Sequence, residues 1–222
     1  MTKKRVAILY TGIVRPSPER VYNNICNTIS YLTALNLDIS NFCLTYDTQE
    51  ANILIDLLKD IDIAVHIIPF IKDAPGNANG NQYRMMKTNE LLVSKINNLI
   101  DYDIVLRMRI DCELAYIEIP DAIEQNVLYA PVTLWNDGIF DNLSFCVPSL
   151  YRQIWNTEMN SFSFINNEKM LEHKMLLANA TNKPFNFKLN LYQSSDPTFM
   201  GIPQWSKANR IFEYKNGWIR IE

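Results

Sequence analysis

The chain has 222 residues, of which 48% are hydrophobic, 11% aromatic and 20% charged. That is ample material for a large buried core and excludes a disordered polypeptide, which lacks apolar residues and carries high net charge. With 21 Lys and Arg against 24 Asp and Glu the net charge is −3, so no nucleic-acid partner is expected, and any phosphate must be met by a local Arg or Lys cluster or by a metal ion.

A basic opening, Lys3-Lys4-Arg5, leads into a short apolar β-rich run, 6–10, too short for a signal peptide or a membrane span. A soluble, cytoplasmic protein is expected. Ser17-Pro18-Glu19 reads as a helix start: a capping Ser, Pro at the first helical position and an acid in the first turn. The apolar stripe Val21, Ile25, Ile29, Leu32 and Leu35 carries that helix onward. Residues 39–46 are the second strand candidate. Asp47-Thr48-Gln49-Glu50 is a capping box, with Asp47 as the cap, opening a helix with Ile53, Leu54, Leu57 and Leu58 inward. The third strand, 63–70, runs into a loop rich in Gly, Asn and Pro, and a long helix from 82 to 100 follows.

The fourth strand spans 103–110. Beyond it, 127–132 and 139–147 read as strands, Pro148-Ser149 opens a helix, 167–180 is helical and 185–192 alternates as a strand does. The final stretch, 193–222, mixes Pro, Gly and aromatics and predicts ordered loop. Cys26, Cys43, Cys112 and Cys146 form no C-x-x-C pair and read as reduced core thiols.

Near-continuously apolar strands alternating with helices predict an α/β fold, a mostly parallel central sheet with helices on both faces and a smaller mixed C-terminal part. A single domain, 1–222, is expected, with a nucleotide-type half to residue 111 and an acceptor half over 112–222. In such sheets ligands sit beyond the carboxyl ends of the strands, where strand order reverses.

At the first strand end, Thr11-Gly12-Ile13-Val14-Arg15 places a glycine that permits close backbone approach and an arginine suited to a phosphate or a base. It matches neither the dinucleotide fingerprint nor the P-loop. At the second, Tyr46 is an aromatic suited to a nucleobase. On the fourth strand, period-two geometry puts Ile104, Leu106, Met108 and Ile110 on one face and Val105, Arg107, Arg109 and Asp111 on the other. Ionic residues on a central strand are costly unless paired or bound to something. Glu113 continues the parity, and in extended backbone its Cα lies about 6.6 Å from that of Asp111. The two carboxylates would then converge on a hard cation, Mg²⁺ or Mn²⁺. An internal Arg109–Asp111 ion pair is the alternative, although the full row is more than one pair requires.

The stretch Tyr102-Asp103-Ile104-Val105-Leu106-Arg107-Met108-Arg109-Ile110-Asp111 resembles the YD-x-V-x-R-x-R-x-D strand of small GT-A-type glycosyltransferases from bacterial surface-polysaccharide clusters and large DNA viruses. Gly12-Ile13-Val14-Arg15, the helix segment 82–90 and Asn136-Asp137-Gly138-Ile139-Phe140-Asp141-Asn142 extend the resemblance, in order, over roughly residues 5–155. Where relatives often read Arg-Pro-Asp this chain has Arg109-Ile110-Asp111, and where Asp-x-Asp is common it has Asp111-Cys112-Glu113.

The resemblance implies a Rossmann-like GT-A fold and transfer of a sugar from a nucleoside-diphosphate sugar to a hydroxyl of a glycan or surface polysaccharide. It implies a Mn²⁺ or Mg²⁺ ion on Asp111 and Glu113, and donor binding by Thr11, Gly12, Arg15, Tyr46, Arg84, Lys87 and Arg109. An inverting enzyme also needs a carboxylate to take the acceptor proton, for which Asp141 is the first choice and Asp137 the second. The alternatives are a non-catalytic nucleotide-sugar-binding or interaction protein of the same fold and a sugar nucleotidyltransferase.

Overall fold

Strand β1 (Arg5–Thr11) is buried from Val6 onward, as happens when both faces of a sheet are covered. Helix α1 (Pro18–Ala34) begins where the sequence predicts, with Ser17 Oγ accepting from the Arg20 N–H at 3.3 Å. Strand β2 (Asp38–Tyr46), helix α2 (Gln49–Leu58), strand β3 (Ile63–Ile68) and helix α3 (Gly80–Lys95) follow, then a 3-10 turn at Leu99–Asp101 and strand β4 (Ile104–Arg109). Next come β5 (Cys112–Ile117), β6 (Val127–Tyr129), β7 (Val132–Thr133), β8 (Gly138–Ile139) and β9 (Leu143–Cys146). Helices α4 (Pro148–Asn156) and α5 (Asn167–Leu177) precede β10 (Thr181–Lys183), β11 (Phe187–Leu191), β12 (Thr198–Phe199), β13 (Ile202–Pro203), β14 (Arg210–Lys215) and β15 (Trp218–Ile221). This computed structural model describes residues 3–71, 80–130, 132–133, 138–139, 142–156, 167–192, 198–199, 202–203, 210–215 and 218–221.

The main sheet has the order β10-β6-β9-β4-β1-β2-β3. Pairing is parallel from β3 through β2 and β1 to β4; β9 runs opposite to both β4 and β6, and β10 is parallel to β6. One face packs on α1 and α2 through Ile8, Leu106, Val21, Ile25 and Leu54. The other packs on α3, α4 and α5 through Leu9, Val105, Leu92, Ile154 and Leu171. The fold is therefore the expected α/β arrangement, a mostly parallel sheet with helices on both faces. A second, antiparallel sheet, β15-β14-β11-β5, shares the α1-side core through Leu114, Leu189 and Phe212. The chain winds outward from β1 to β2 and β3, then crosses back to place β4 on the other flank of β1. The switch point thus lies between β1 and β4.

Several local expectations differ from the structure. Asp47 does not cap α2: its N–H goes to the Ile68 carbonyl at 2.8 Å, prolonging the β2–β3 pairing, and Thr48 Oγ1 accepts from the Ala51 N–H instead. Ile53 is exposed, while Ala51, Leu54 and Leu58 face the core. The predicted helix to residue 100 stops at Lys95, before the turn-forming pair Asn97-Asn98. Strands, not loop, occupy much of the C-terminal stretch, because β14 finds a partner in β11 that local sequence does not reveal. The extended row from Arg107 to Glu113 is broken at Ile110-Asp111, where the chain turns out of the main sheet and starts β5 in the second.

Candidate functional site

Three backbone hydrogen bonds fix that turn. The Arg109 N–H donates to the Asn142 carbonyl at 3.1 Å, the Ile110 N–H to the Thr11 carbonyl at 3.1 Å, and the Asp111 carbonyl accepts from the Tyr192 N–H at 3.0 Å. Asp111 is thereby held at the switch point, between the carboxyl ends of β1 and β4 and the end of β11. Thr11, in register with Arg109 on one side and Leu44 on the other, is buried at the same edge. Gly12 follows with φ at +137°, a conformation that L side chains rarely adopt, and an added Cβ would stand 3.3 Å from Ile110 Cγ2. The turn of β1 and the turn of β4 are thus pressed together, and only glycine suits the contact.

The side chains assembled there are Arg15, Arg109 and Asp111. Arg109 forks onto the carboxylate, Nε to Oδ1 at 2.9 Å and Nη2 to Oδ2 at 2.6 Å, and its Nη1 donates to Asn142 Oδ1 at 3.1 Å. Arg15 Nε donates to Asp111 Oδ2 at 2.8 Å. The carboxylate side chain is 3% exposed, whereas those of Arg15 and Arg109 are 15% and 22% exposed. Burial would raise the Asp111 carboxyl, but the charges of Arg109 and Arg15 and their hydrogen bonds hold it below the usual carboxylate range.

Glu113, the next acid, faces elsewhere. It is half-buried, with Oε1 accepting from Asn27 Nδ2 of α1 at 3.1 Å and Oε2 from the Tyr192 hydroxyl at 3.0 Å. The Tyr192 ring in turn carries the Arg20 guanidinium 4.6 Å from its centroid. The carboxylates of Asp111 and Glu113 share no hydrogen-bonding side chain among the described residues. A hard divalent cation needs anionic oxygens presented together, away from other positive groups. Asp111 has guanidinium nitrogens on both of its oxygens, and among the described residues no three His, Cys, Asp or Glu side chains gather to hold an ion. The described donor set does not fit such an ion. Asp137 and Asp141 lie outside the described residues.

Two further predicted residues meet along the same edge, beyond β2 and β3. The buried Tyr46 packs edge-on against Phe70, ring centroids 5.0 Å apart, and the Arg84 guanidinium sits 5.3 Å from the centroid of that Phe70 ring. Arg84 Nη1 also donates to the Ile71 carbonyl at 3.2 Å. Burial pushes the Tyr46 phenol up, against the pull of Arg84. Lys87 is ion-paired within α3, its Nζ 2.7 Å from Glu90 Oε2.

Arg107, on the opposite face from Met108, is 1% exposed: its Nε donates to Asn89 Oδ1 at 3.2 Å, and the guanidinium lies 5.9 Å from the centroid of the Trp155 ring. Asn27, Phe70, Asn142 and Tyr192 complete these clusters without having been singled out as site residues. Phe70 and Tyr192 close predicted strands and Asn142 ends the quoted Asp-containing segment; Asn27 carries no signal beyond its place on α1.

No protein-family model matches the chain, and no curated protein matches its sequence. Solved structures do. An active-site mutant of LgtC is similar with a TM-score of 0.50 at 13% identity, over 80% of this chain and 72% of that one. The catalytic domain of Drosophila β1,4-galactosyltransferase 7, in complex with xylobiose, gives 0.49 at 8% identity, over 82% of this chain and 64% of that one. A mutant of that galactosyltransferase carries manganese, UDP-Gal and xylobiose. The 4-diphosphocytidyl-2C-methyl-D-erythritol synthase of Anaerococcus prevotii gives 0.47 at 12% identity, over 82% and 88%. This chain thus spans less than two thirds of the galactosyltransferase domain. At these identities the likeness is one of fold, the GT-A type used by glycosyltransferases. No helix among the described residues is long and apolar enough to cross a membrane.

Proposed function

We propose that the chain is a glycosyltransferase that moves a sugar from a nucleoside-diphosphate sugar to an acceptor hydroxyl of a glycan or surface polysaccharide. The observation that carries this reading is the Arg15–Arg109 guanidinium pair fixed by Asp111 at the switch point of the sheet. Two forked cations held at the carboxyl edge suit a diphosphate. Backbone at Thr11 and Gly12 allows its close approach, and the half-buried Phe70, backed by the buried Tyr46 and by Arg84, is the aromatic group suited to a base. Lys87 keeps its predicted donor role as part of this proposal. Residues 1–111 would supply the donor side and 112–222 the acceptor side.

In an inverting transfer the acceptor oxygen bonds to the anomeric carbon as the bond from that carbon to the diphosphate oxygen breaks. The acceptor proton passes to a carboxylate, assigned here to Asp141 and, second, to Asp137. The electron pair of the broken bond stays on the diphosphate, where Arg15 and Arg109 offset the growing charge. The charge offset expected of a Mn²⁺ or Mg²⁺ ion on Asp111 and Glu113 falls in this scheme to the two guanidiniums.

The test is a panel of sugar nucleotides with mono- and oligosaccharide acceptors, read by release of nucleoside diphosphate. Acceptor-dependent release from one donor supports the reading. Release of pyrophosphate from a nucleoside triphosphate and a sugar phosphate would assign the fold to nucleotidyl transfer instead.

A further inference from the structure

We infer that this site takes the diphosphate of its nucleotide on the guanidiniums of Arg15 and Arg109, with Asp111 as their fixed counter-ion, and that it does so without a divalent cation. The inference rests on the glycosyltransferase reading of the same site and departs from the ion that the fold family leads one to expect.

Three observations carry it. Both oxygens of Asp111 already accept charge-assisted hydrogen bonds of 2.6 to 2.9 Å from two guanidiniums. A divalent ion placed on that carboxylate would displace these bonds and stand in contact with two positive groups. Glu113 gives no help, because its oxygens are turned to Asn27 and Tyr192.

Exposure is also ordered the wrong way for a metal site. The carboxylate side chain is 3% exposed and those of the two arginines 15% and 22%, so solvent reaches guanidinium more than carboxylate. The three groups together carry two positive charges against one negative. A divalent cation set on the carboxylate would add to the repulsion between the two guanidiniums. Asp111 meanwhile fixes the Arg109 fork and the Nε of Arg15. The ordering of two long side chains, which otherwise opposes binding, is thereby completed before the ligand arrives.

The experiment is titration calorimetry of the full chain with UDP, GDP, ADP, CDP and dTDP, each in EDTA and again with Mn²⁺. For the nucleotide that binds, the dissociation constants in the two conditions are expected to agree within about threefold. Arg15→Gln and Arg109→Gln are each expected to weaken binding about tenfold or more in both conditions. Thermal melting of both variants accompanies the titrations, and the wild-type comparison in EDTA needs no variant to fold. Binding that appears only with Mn²⁺ overturns the inference and leaves the glycosyltransferase reading standing. Binding in EDTA that is indifferent to both substitutions, in variants that melt as folded proteins, also overturns it. Absence of binding by every nucleoside diphosphate in both conditions overturns the two together.

Discussion

Asp111 has two guanidiniums on a carboxylate that is almost wholly out of water. Removing one member of such a cluster leaves buried charge without its partner. Asp111→Ala is therefore expected to cost about 3 kcal/mol in urea denaturation. The sequence disclosed part of this cluster, since parity along β4 separates Arg107 and Arg109 from Leu106 and Met108. It offered the Arg109–Asp111 ion pair, which the structure contains, only as the alternative to a cation site, because two residues of turn chemistry separate a row of ligands from an ion pair. Lys174 is a second case. It is buried beside Trp155, with burial lowering its ammonium to about 8 and Lys87 adding to this, while Glu90 pulls the other way. The folded chain then releases this proton near pH 8, whereas an unfolded lysine holds it to above pH 10. The unfolded state binds more protons across that window, so the contribution of Lys174 to stability rises with pH there. The stability gap between Lys174→Met and wild type, in the variant's favour at pH 7, should narrow by pH 10 when both are melted in parallel.

β5 is the edge strand of the second sheet, and α1 covers its open side. The buried Thr28 Oγ1 accepts from the Leu114 N–H at 3.1 Å, and the Tyr31 hydroxyl accepts from the Ile117 N–H at 3.0 Å. A helix thereby blunts an edge that would otherwise pair with another strand. Thr28→Val keeps the shape and removes the acceptor, leaving a buried N–H without a partner, and is expected to cost about 1–3 kcal/mol in equilibrium denaturation. The limits of α1 were legible because Ser17 and Pro18 state the start chemically. Its polar contacts with β5 were not, since Thr28 and Tyr31 look like ordinary helix residues until the strand they serve is known.

The two sheets do not form separate cores. Leu189 of β11 lies in one continuous cluster with Ile8 of β1, Leu106 of β4 and Leu54 of α2. Leu189→Ala should therefore lower stability by about 2–5 kcal/mol and still melt in a single transition by circular dichroism, rather than releasing the C-terminal strands alone. The parallel half was legible because each strand and its covering helix are neighbours in sequence. Among the C-terminal strands β11 was legible in the alternation over 185–192, whereas β14 was not, because it is paired with β11 across a long stretch of chain and no local pattern announces such a pairing. One consequence follows from the turn at Ile110-Asp111, which joins the sheets and also presents the carboxylate. A single residue inserted between Arg109 and Cys112 would rotate every later side chain of β5 to the reverse side and swing the acid off its arginines. At that junction the count of residues is itself part of the chemistry.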